Sequence, residues 1–170
     1  MEFVRIRPET PADHPVVHAV NERAFGRPDE ARLVDAVRDE VSPCLSLVAE
    51  LFGVVIGHAL YTAVRVASPD QEWIAMALGP IAVEPEHQRQ GVGGLLIEVG
   101  LDGCRRTGHD VVFVLGDPGY YPRFGFRAAR PLGLCYPPCE TDAFMVTELS
   151  DDAIGGRTGV VAYHAEFDSV

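Results

Sequence analysis

A mixed α/β fold in one domain is what the chain predicts, and three observations carry the prediction. The apolar periodicity changes along the sequence, from a helical period before residue 40 to strand-like runs over residues 45–83. A strand, a glycine-rich loop and an amphipathic helix then follow one another over residues 73–107. Directly after them come five consecutive apolar residues, Val111–Leu115, typical of a strand buried on both faces. Strand, crossover helix and buried strand make a right-handed βαβ unit with a parallel pair. A chain of 170 residues, 47% hydrophobic and 23% charged, suits one well-buried globular domain.

The elements can be justified in turn. Residues 3–7 alternate apolar and charged side chains, as an antiparallel strand with one wet face should. Thr10, Pro11 and Asp13 then start a helix, with threonine as N-cap, proline in the first turn and an acid three residues after the cap. That helix offers Val16, Val17, Val20 and Ala24 to the core. His14 and His18 sit on it at i, i+4 without a third ligand, so they read as a solvated face and no metal is assigned. A second helix begins after Pro28, Asp29 and Glu30 and presents Leu33, Val34 and Val37. Strands follow at residues 45–51, 54–66 and 73–83, separated by turns at Phe52–Gly53 and at residues 68–71. The third of these contains Gly79 and Pro80. Proline cannot donate to a ladder and glycine commonly marks a bulge, so this strand is expected to kink. The helix over residues 91–107, closed by Gly108, places Val92, Leu95, Leu96 and Val99 on one face. A strong strand is expected at residues 143–149. In the tail, the strand-like run 159–167 either adds an edge strand or reaches a second subunit in a homodimer.

Charge and cysteines narrow the function. The formal net charge of −11 opposes nucleic acid or an anionic membrane as partner and suits a cationic amine. All 14 basic residues counted as Lys+Arg are arginine. Residues 1–8 carry Glu2, Arg5 and Arg7 and so lack a signal-peptide core, and no run approaches the ~20 apolar residues of a membrane span, which points to the cytoplasm. Cys44, Cys104, Cys135 and Cys139 occur in unrelated contexts without a ligand pair at metal spacing, and all four are read as free thiols.

The chemistry centres on Gln88, Arg89, Gln90, Gly91, Val92, Gly93 and Gly94. The first N–H groups of a helix lack intrahelical partners and the macrodipole adds positive charge there, while glycines let a ligand reach the backbone. Such a terminus binds phosphate. A Walker loop requires lysine, which the chain lacks; a dinucleotide fingerprint requires a small residue where Leu96 stands. What remains, Gln-x-x-Gly-x-Gly, resembles the acetyl-CoA pyrophosphate loop of the GNAT superfamily of N-acetyltransferases. A second segment resembles the same family: Tyr121, three residues, then Gly125 and Phe126, where the family has a helix ending in tyrosine. The run Gly116, Asp117, Pro118, Gly119, Tyr120, Tyr121 is similar to an uncharacterised bacterial branch of predicted acetyltransferases. The element order β, α, α, β, β, β, α, β, α, β, β also matches the GNAT fold. The resemblance covers about residues 3–150, leaving residues 151–170 as a C-terminal extension.

The resemblance implies a mixed central sheet whose fourth and fifth strands splay apart, with acetyl-CoA in the gap. By position, Ile81, Ala82 and Val83 would offer backbone groups to the pantetheine arm. Gln88, Arg89, Gln90, Gly91, Val92, Gly93 and Gly94 would hold the pyrophosphate. A small-molecule or peptide amine would attack the thioester directly in a ternary complex. Tyr121 would protonate the departing sulfur, with Tyr120 as fallback. No base is assigned: residues 73–83 contain no carboxylate, Glu84 reads as a surface residue, and His58 reads as a structural histidine more readily than a base. Tyr136, Glu140 and Asp142 border the expected acceptor region, and pocket depth near Met76, Leu78 and Phe113 would decide whether a longer acyl group fits. The alternative is a non-catalytic acyl-CoA-binding or regulatory module of the same fold.

Overall fold

Nine strands form one mixed sheet in the computed structural model, which describes residues 3–42 and 44–169. Met1 and Glu2 of the N-terminal run, with Pro43 and Val170, lie outside the described residues. In chain order the main elements are β1 (Val4–Pro8), α1 (His14–Phe25), α2 (Asp29–Glu40), β2 (Cys44–Leu51), β3 (Val54–Ala67), β4 (Glu72–Val83), α3 (Val92–Arg106), β5 (Val111–Leu115), β6 (Arg127–Ala128), β7 (Leu134–Cys135), β8 (Phe144–Glu148) and β9 (Gly159–Ala162). The sheet runs β1-β2-β3-β4-β5-β8-β6, and all its pairs are antiparallel except β4–β5 and the β7–β9 pair off this path. β9 pairs with β3 at Arg65–Ala67, where β2 has ended, and also with β7.

Side chains alternate across β3 and so divide the core. Ala59 and Tyr61 face α3, against Leu96, Ile97 and Leu101. Leu60 faces the other way, onto Val17 and Val20 of α1 and Leu33, Val34 and Val37 of α2. A third cluster, built on Trp73, Phe113 and Phe144, fills the far end beneath β9. At the start of α1, the Asp13 carboxylate accepts hydrogen bonds from the Thr10 N–H and hydroxyl, each at 2.8 Å, and is paired with Arg7.

Three elements differ from their sequence reading, one of them the tail, which is a strand only over Gly159–Ala162 and then a 3-10 turn, Ala165–Ser169. The buried stripe of α3 is Val92, Leu96, Ile97, Gly100, Leu101 and Cys104, rotated from the expected face, so that Leu95 is half-buried and Val99 is 40% exposed. The cause is Tyr61: a β-carbon on Gly100 would stand 2.2 Å from its ring, and its hydroxyl donates to the Ile97 carbonyl at 3.1 Å. A glycine at the centre of the packed face carries no hydrophobic signal. Where a helix ending at Tyr121 is expected, residues 118–120 form a turn and a single 3-10 turn, Tyr121–Phe124, begins there. Pro118 and Pro122 lack the N–H that a helix interior needs, and with Gly119 between them they keep this short connection from forming an α-helix.

Candidate active site

β4 and β5 hold together only where Met76, Ala77 and Leu78 face Val112, Phe113 and Val114. Just beyond, the partner register of β4 jumps from Tyr61↔Leu78 to Ala59↔Ile81, so Gly79 and Pro80 both stand opposite Leu60. This bulge turns β4 away from β5 and opens a gap between them. Leu115, the last residue of β5, is 52% exposed for that reason. Two clefts occupy the gap, and Phe25 and Ile81 line both of them.

The first cleft, about 730 Å³, lies between the end of β4, the start of α3 and the 3-10 turn at Tyr121–Phe124. Gly91, at φ +87, is the residue from which α3 springs, a conformation that favours glycine. The Leu95 N–H closes the first turn onto the Gly91 carbonyl at 3.1 Å, which leaves the N–H groups of Val92, Gly93 and Gly94 without a helical acceptor. A β-carbon on Gly93 or Gly94 would meet nothing nearer than 3.5 Å, so the fold itself does not demand glycine at either position. Arg89 lines the cleft with a guanidinium that has no partner among the described residues. Arg123 lies over the Tyr120 ring, 4.5 Å from its centroid, and lines the same cleft. Two cations and a helix start therefore converge on one spot of an acidic protein.

Of the ten residues expected to hold the donor, Ile81, Val83, Gln88, Arg89, Gly91, Gly93 and Gly94 line this cleft. Three side chains point elsewhere. Ala82 packs among Val17, Leu60 and their neighbours in the α1–α2 core, Val92 is buried under α3, and Gln90 donates to the Glu86 carbonyl at 2.8 Å. Gln88 donates to the Val83 carbonyl at 3.0 Å and so ties the loop to the end of β4.

The second cleft, about 620 Å³, lies on the other side of Ile81. Tyr121 lines it, 8% exposed, its ring set edge-on to Tyr120 and Phe126. Gly116 makes room for that ring: a β-carbon there would lie 2.4 Å from it. Burial pushes the Tyr121 phenol up to about 12, with the neighbouring Tyr120 and Asp117 adding to the effect, so it keeps its proton at any ordinary pH. Tyr120 instead lines the first cleft, its hydroxyl 3.5 Å from where a Gly93 β-carbon would sit.

Other candidates separate clearly. Tyr136 lines the second cleft, whereas Glu140 is not part of either wall and Asp142 is paired with Arg130 at 3.2 Å. Leu78 lines the second cleft, but Met76 and Phe113 are core residues, 1% and 0% exposed. His58 is fully buried away from both clefts. It accepts from Asn21 Nδ2 at 3.1 Å on Nδ1, and its Nε2 donates to Ser46 Oγ at 2.9 Å, which leads on to Glu9 and Arg38. Burial lowers its pKa to about 3, so it is a structural residue. Glu84 is taken by Arg23. Cys135 and Cys139 are not free thiols: they form a disulfide across the Tyr136–Cys139 turn, in which the Cys139 N–H bonds the Tyr136 carbonyl at 2.9 Å, while Cys44 and Cys104 remain free. The sequence reading weighs these cysteines as metal ligands only, and the turn that brings Cys135 to Cys139 is not visible in their spacing.

Sequence reasoning missed Phe25, Arg27, Glu30, Tyr163 and Phe167, all of which line the second cleft. Glu30 is 6% exposed and paired with Arg27. Its place in a first helical turn reads as ordinary N-terminal charge, and the two tail rings lie beyond the recognisable motifs.

Three comparisons bear on the site. The family model described as "Acetyltransferase (GNAT) domain" matches residues 5–129. A protein of Escherichia coli strain K12 named uncharacterized N-acetyltransferase YhbS is 40% identical over 165 residues, covering 96% of this chain and 98% of that protein. The crystal structure of the Escherichia coli GNAT family N-acetyltransferase YhbS in complex with CoA is similar at a TM-score of 0.88 and 36% identity, over 98% of this chain and 92% of that one. A GNAT family acetyltransferase from Brucella melitensis in complex with acetyl-CoA is similar at a TM-score of 0.80 and 36% identity, over 99% of this chain and all (100%) of that one.

Proposed function

The chain belongs to the GNAT acetyltransferase family, and from that premise we propose that it binds acetyl-CoA in the first cleft and passes the acetyl group to a primary amine seated in the second. The observation that carries this reading is the junction of the two clefts at Ile81 and Phe25. One side has the chemistry of phosphate binding and the other a buried, protonated phenol. The CoA and acetyl-CoA complexes of the similar Escherichia coli and Brucella melitensis proteins support the same donor here.

The residues then take definite roles. N–H groups of Val92, Gly93 and Gly94 and the free Arg89 guanidinium bind the pyrophosphate, charge-assisted bonds each worth roughly 1.5–3 kcal/mol. The backbone of Ile81, Ala82 and Val83, past the last β4–β5 partner, holds the pantetheine arm. The acetyl thioester reaches the junction at Ile81. The neutral amine nitrogen attacks the carbonyl carbon, a C–N bond forms, the C–S bond breaks, Tyr121 gives its proton to the departing sulfur, and the proton shed by the nitrogen passes to solvent, from which the phenol regains one. Since a thiol has a pKa of ~8.5, this proton accelerates the step without being indispensable. The non-catalytic alternative rests on the absence of a carboxylate from residues 73–83 of β4; the formed second cleft with Tyr121 in its wall favours the enzyme.

Calorimetry with acetyl-CoA, followed by thiol release with a panel of amines, tests the reading. Binding with amine-dependent release is expected. Binding without release from any amine supports the non-catalytic module, and no binding rejects the donor site.

A further inference from the structure

The second cleft has a wall that the acetyltransferase family match does not include. That match ends at residue 129, whereas Tyr136, Tyr163 and Phe167 all lie beyond it. The three rings form one continuous surface. Tyr136 meets Tyr163 at 5.0 Å between centroids with planes at 70°, and Tyr163 meets Phe167 at 5.1 Å and 54°. Behind them Tyr136 leans on Phe144 at 5.8 Å.

Each ring is fixed from a different part of the fold. Tyr136 sits in the turn closed by the Cys135–Cys139 disulfide, and Tyr163 directly follows β9, which is hydrogen-bonded to β3. Phe167 packs against the α1–α2 core. A wall anchored at three points is preorganised, so a ligand that fits it loses little in ordering it. Facing this wall are the aliphatic side chains of Leu33 and Leu115.

Charge decides what fits. Among the described residues the only ionic side chains in the lining are Arg27 and Glu30, which pair with each other; Asp29, outside the lining, also reaches Arg27 at 3.8 Å. The cleft therefore offers no uncompensated charge to a second ammonium, a phosphate or a carboxylate, and burying one there would be costly. Uncharged polar capacity is present: the hydroxyls of Tyr121, Tyr136 and Tyr163 make no hydrogen bond among the described residues.

We infer that the acceptor is a small primary amine carrying a flat apolar ring, and that Tyr136, Tyr163 and Phe167 set this specificity. The inference rests on the acetyltransferase reading above. Aromatic faces bind a ring by offset or edge contacts that an aliphatic chain cannot make, and the neutral lining rejects polyamines, aminoglycosides and lysine-bearing peptides.

The test is thiol release by the full chain with saturating acetyl-CoA, using phenethylamine and tryptamine against putrescine, spermidine, kanamycin and a lysine peptide. Phe167→Leu and Tyr163→Leu are assayed beside it, with acetyl-CoA binding measured by calorimetry in every sample. The expected result is a kcat/KM at least 100-fold higher for the ring amines. Each variant should raise KM for those amines about tenfold, with kcat and acetyl-CoA affinity unchanged. Turnover of a polyamine, kanamycin or the peptide at least as efficient as that of the ring amines overturns the inference and leaves the transferase standing. So do ring amines whose KM ignores both variants while acetyl-CoA still binds. Loss of acetyl-CoA binding by the unaltered protein rejects the donor site, and the inference with it.

Discussion

At the scale of single residues, Tyr121 and Gly93 make opposite demands on experiment. Tyr121→Phe should lower kcat about tenfold and leave acetyl-CoA affinity nearly unchanged, because the phenol faces the second cleft and not the donor loop. The sign of its pH behaviour also follows. The proton must be present for the role, and burial holds the phenol at about 12, so the acid form persists. The rate of the unaltered enzyme should therefore rise with pH as the ammonium acceptor loses its proton, with no falling limb below pH ~10; a falling limb there that Tyr121→Phe abolishes would mean that the phenol titrates lower than its burial implies, and an unchanged kcat in Tyr121→Phe would refute its role as the acid. Gly93 lies in the first turn of α3, where a β-carbon would meet nothing nearer than the Tyr120 hydroxyl at 3.5 Å, an ordinary contact. Gly93→Ala should stabilise the helix by about 0.5–1 kcal/mol, raising Tm by about 1–4 °C, while a methyl group among the orphan N–H donors weakens acetyl-CoA binding at least tenfold. A fall in both Tm and affinity would mean that the glycine serves the fold, and unchanged affinity would place the pyrophosphate elsewhere.

At the scale of elements, legibility followed how much of an element's role is written in its own residues. The β4 kink was readable because Gly79 and Pro80 carry it themselves, and the glycine loop that opens α3 because its glycines and the following apolar period are contiguous. The rotation of α3 was not, since it depends on Tyr61 from β3 filling the place of a side chain that Gly100 lacks. The tail was only half legible. Residues 159–162 read as a strand and are one, but the continuation to residue 167 becomes a 3-10 turn, Ala165–Ser169, and its role in the second cleft comes from contacts with α2 and Tyr136. The Cys135–Cys139 turn belongs here too, and its pairing can be counted. In denaturant without reductant, thiol titration should find two groups per chain, Cys44 and Cys104, and four after reduction. In the native protein both should react slowly, since burial pushes them up to about 11 and about 12. Four thiols before reduction would remove the disulfide.

For the whole molecule, two buried networks tie the start of the chain to the sheet and make stability depend on pH. Arg7 holds the Asp13 carboxylate well below its ordinary range, chiefly through hydrogen bonds, and Thr10 adds to this. His58 is kept neutral by burial, with Arg38 lowering its pKa further and Asp35 opposing; Glu9, within 4.0 Å of Nε2, also faces it. Both shifts act in the same direction. Between pH 6.5 and about 3 the unfolded chain protonates this histidine and the folded one does not, so unfolding takes up a proton and stability falls with pH. Asp13 extends the loss: its contribution is complete above pH 3.8 and is lost as pH drops below that value. The histidine alone accounts for about 1.4 kcal/mol per pH unit, which for a domain of this size lowers Tm by roughly 5–10 °C between pH 6.5 and 4.5. Thermal melts across that interval should show the decline in the unaltered protein and a flatter profile in His58→Gln, which has no imidazole to charge on unfolding. A Tm that stays level from pH 6.5 to 4.5 would mean that the imidazole reaches solvent or charge compensation in the native state, contrary to its place between Asn21 and Ser46.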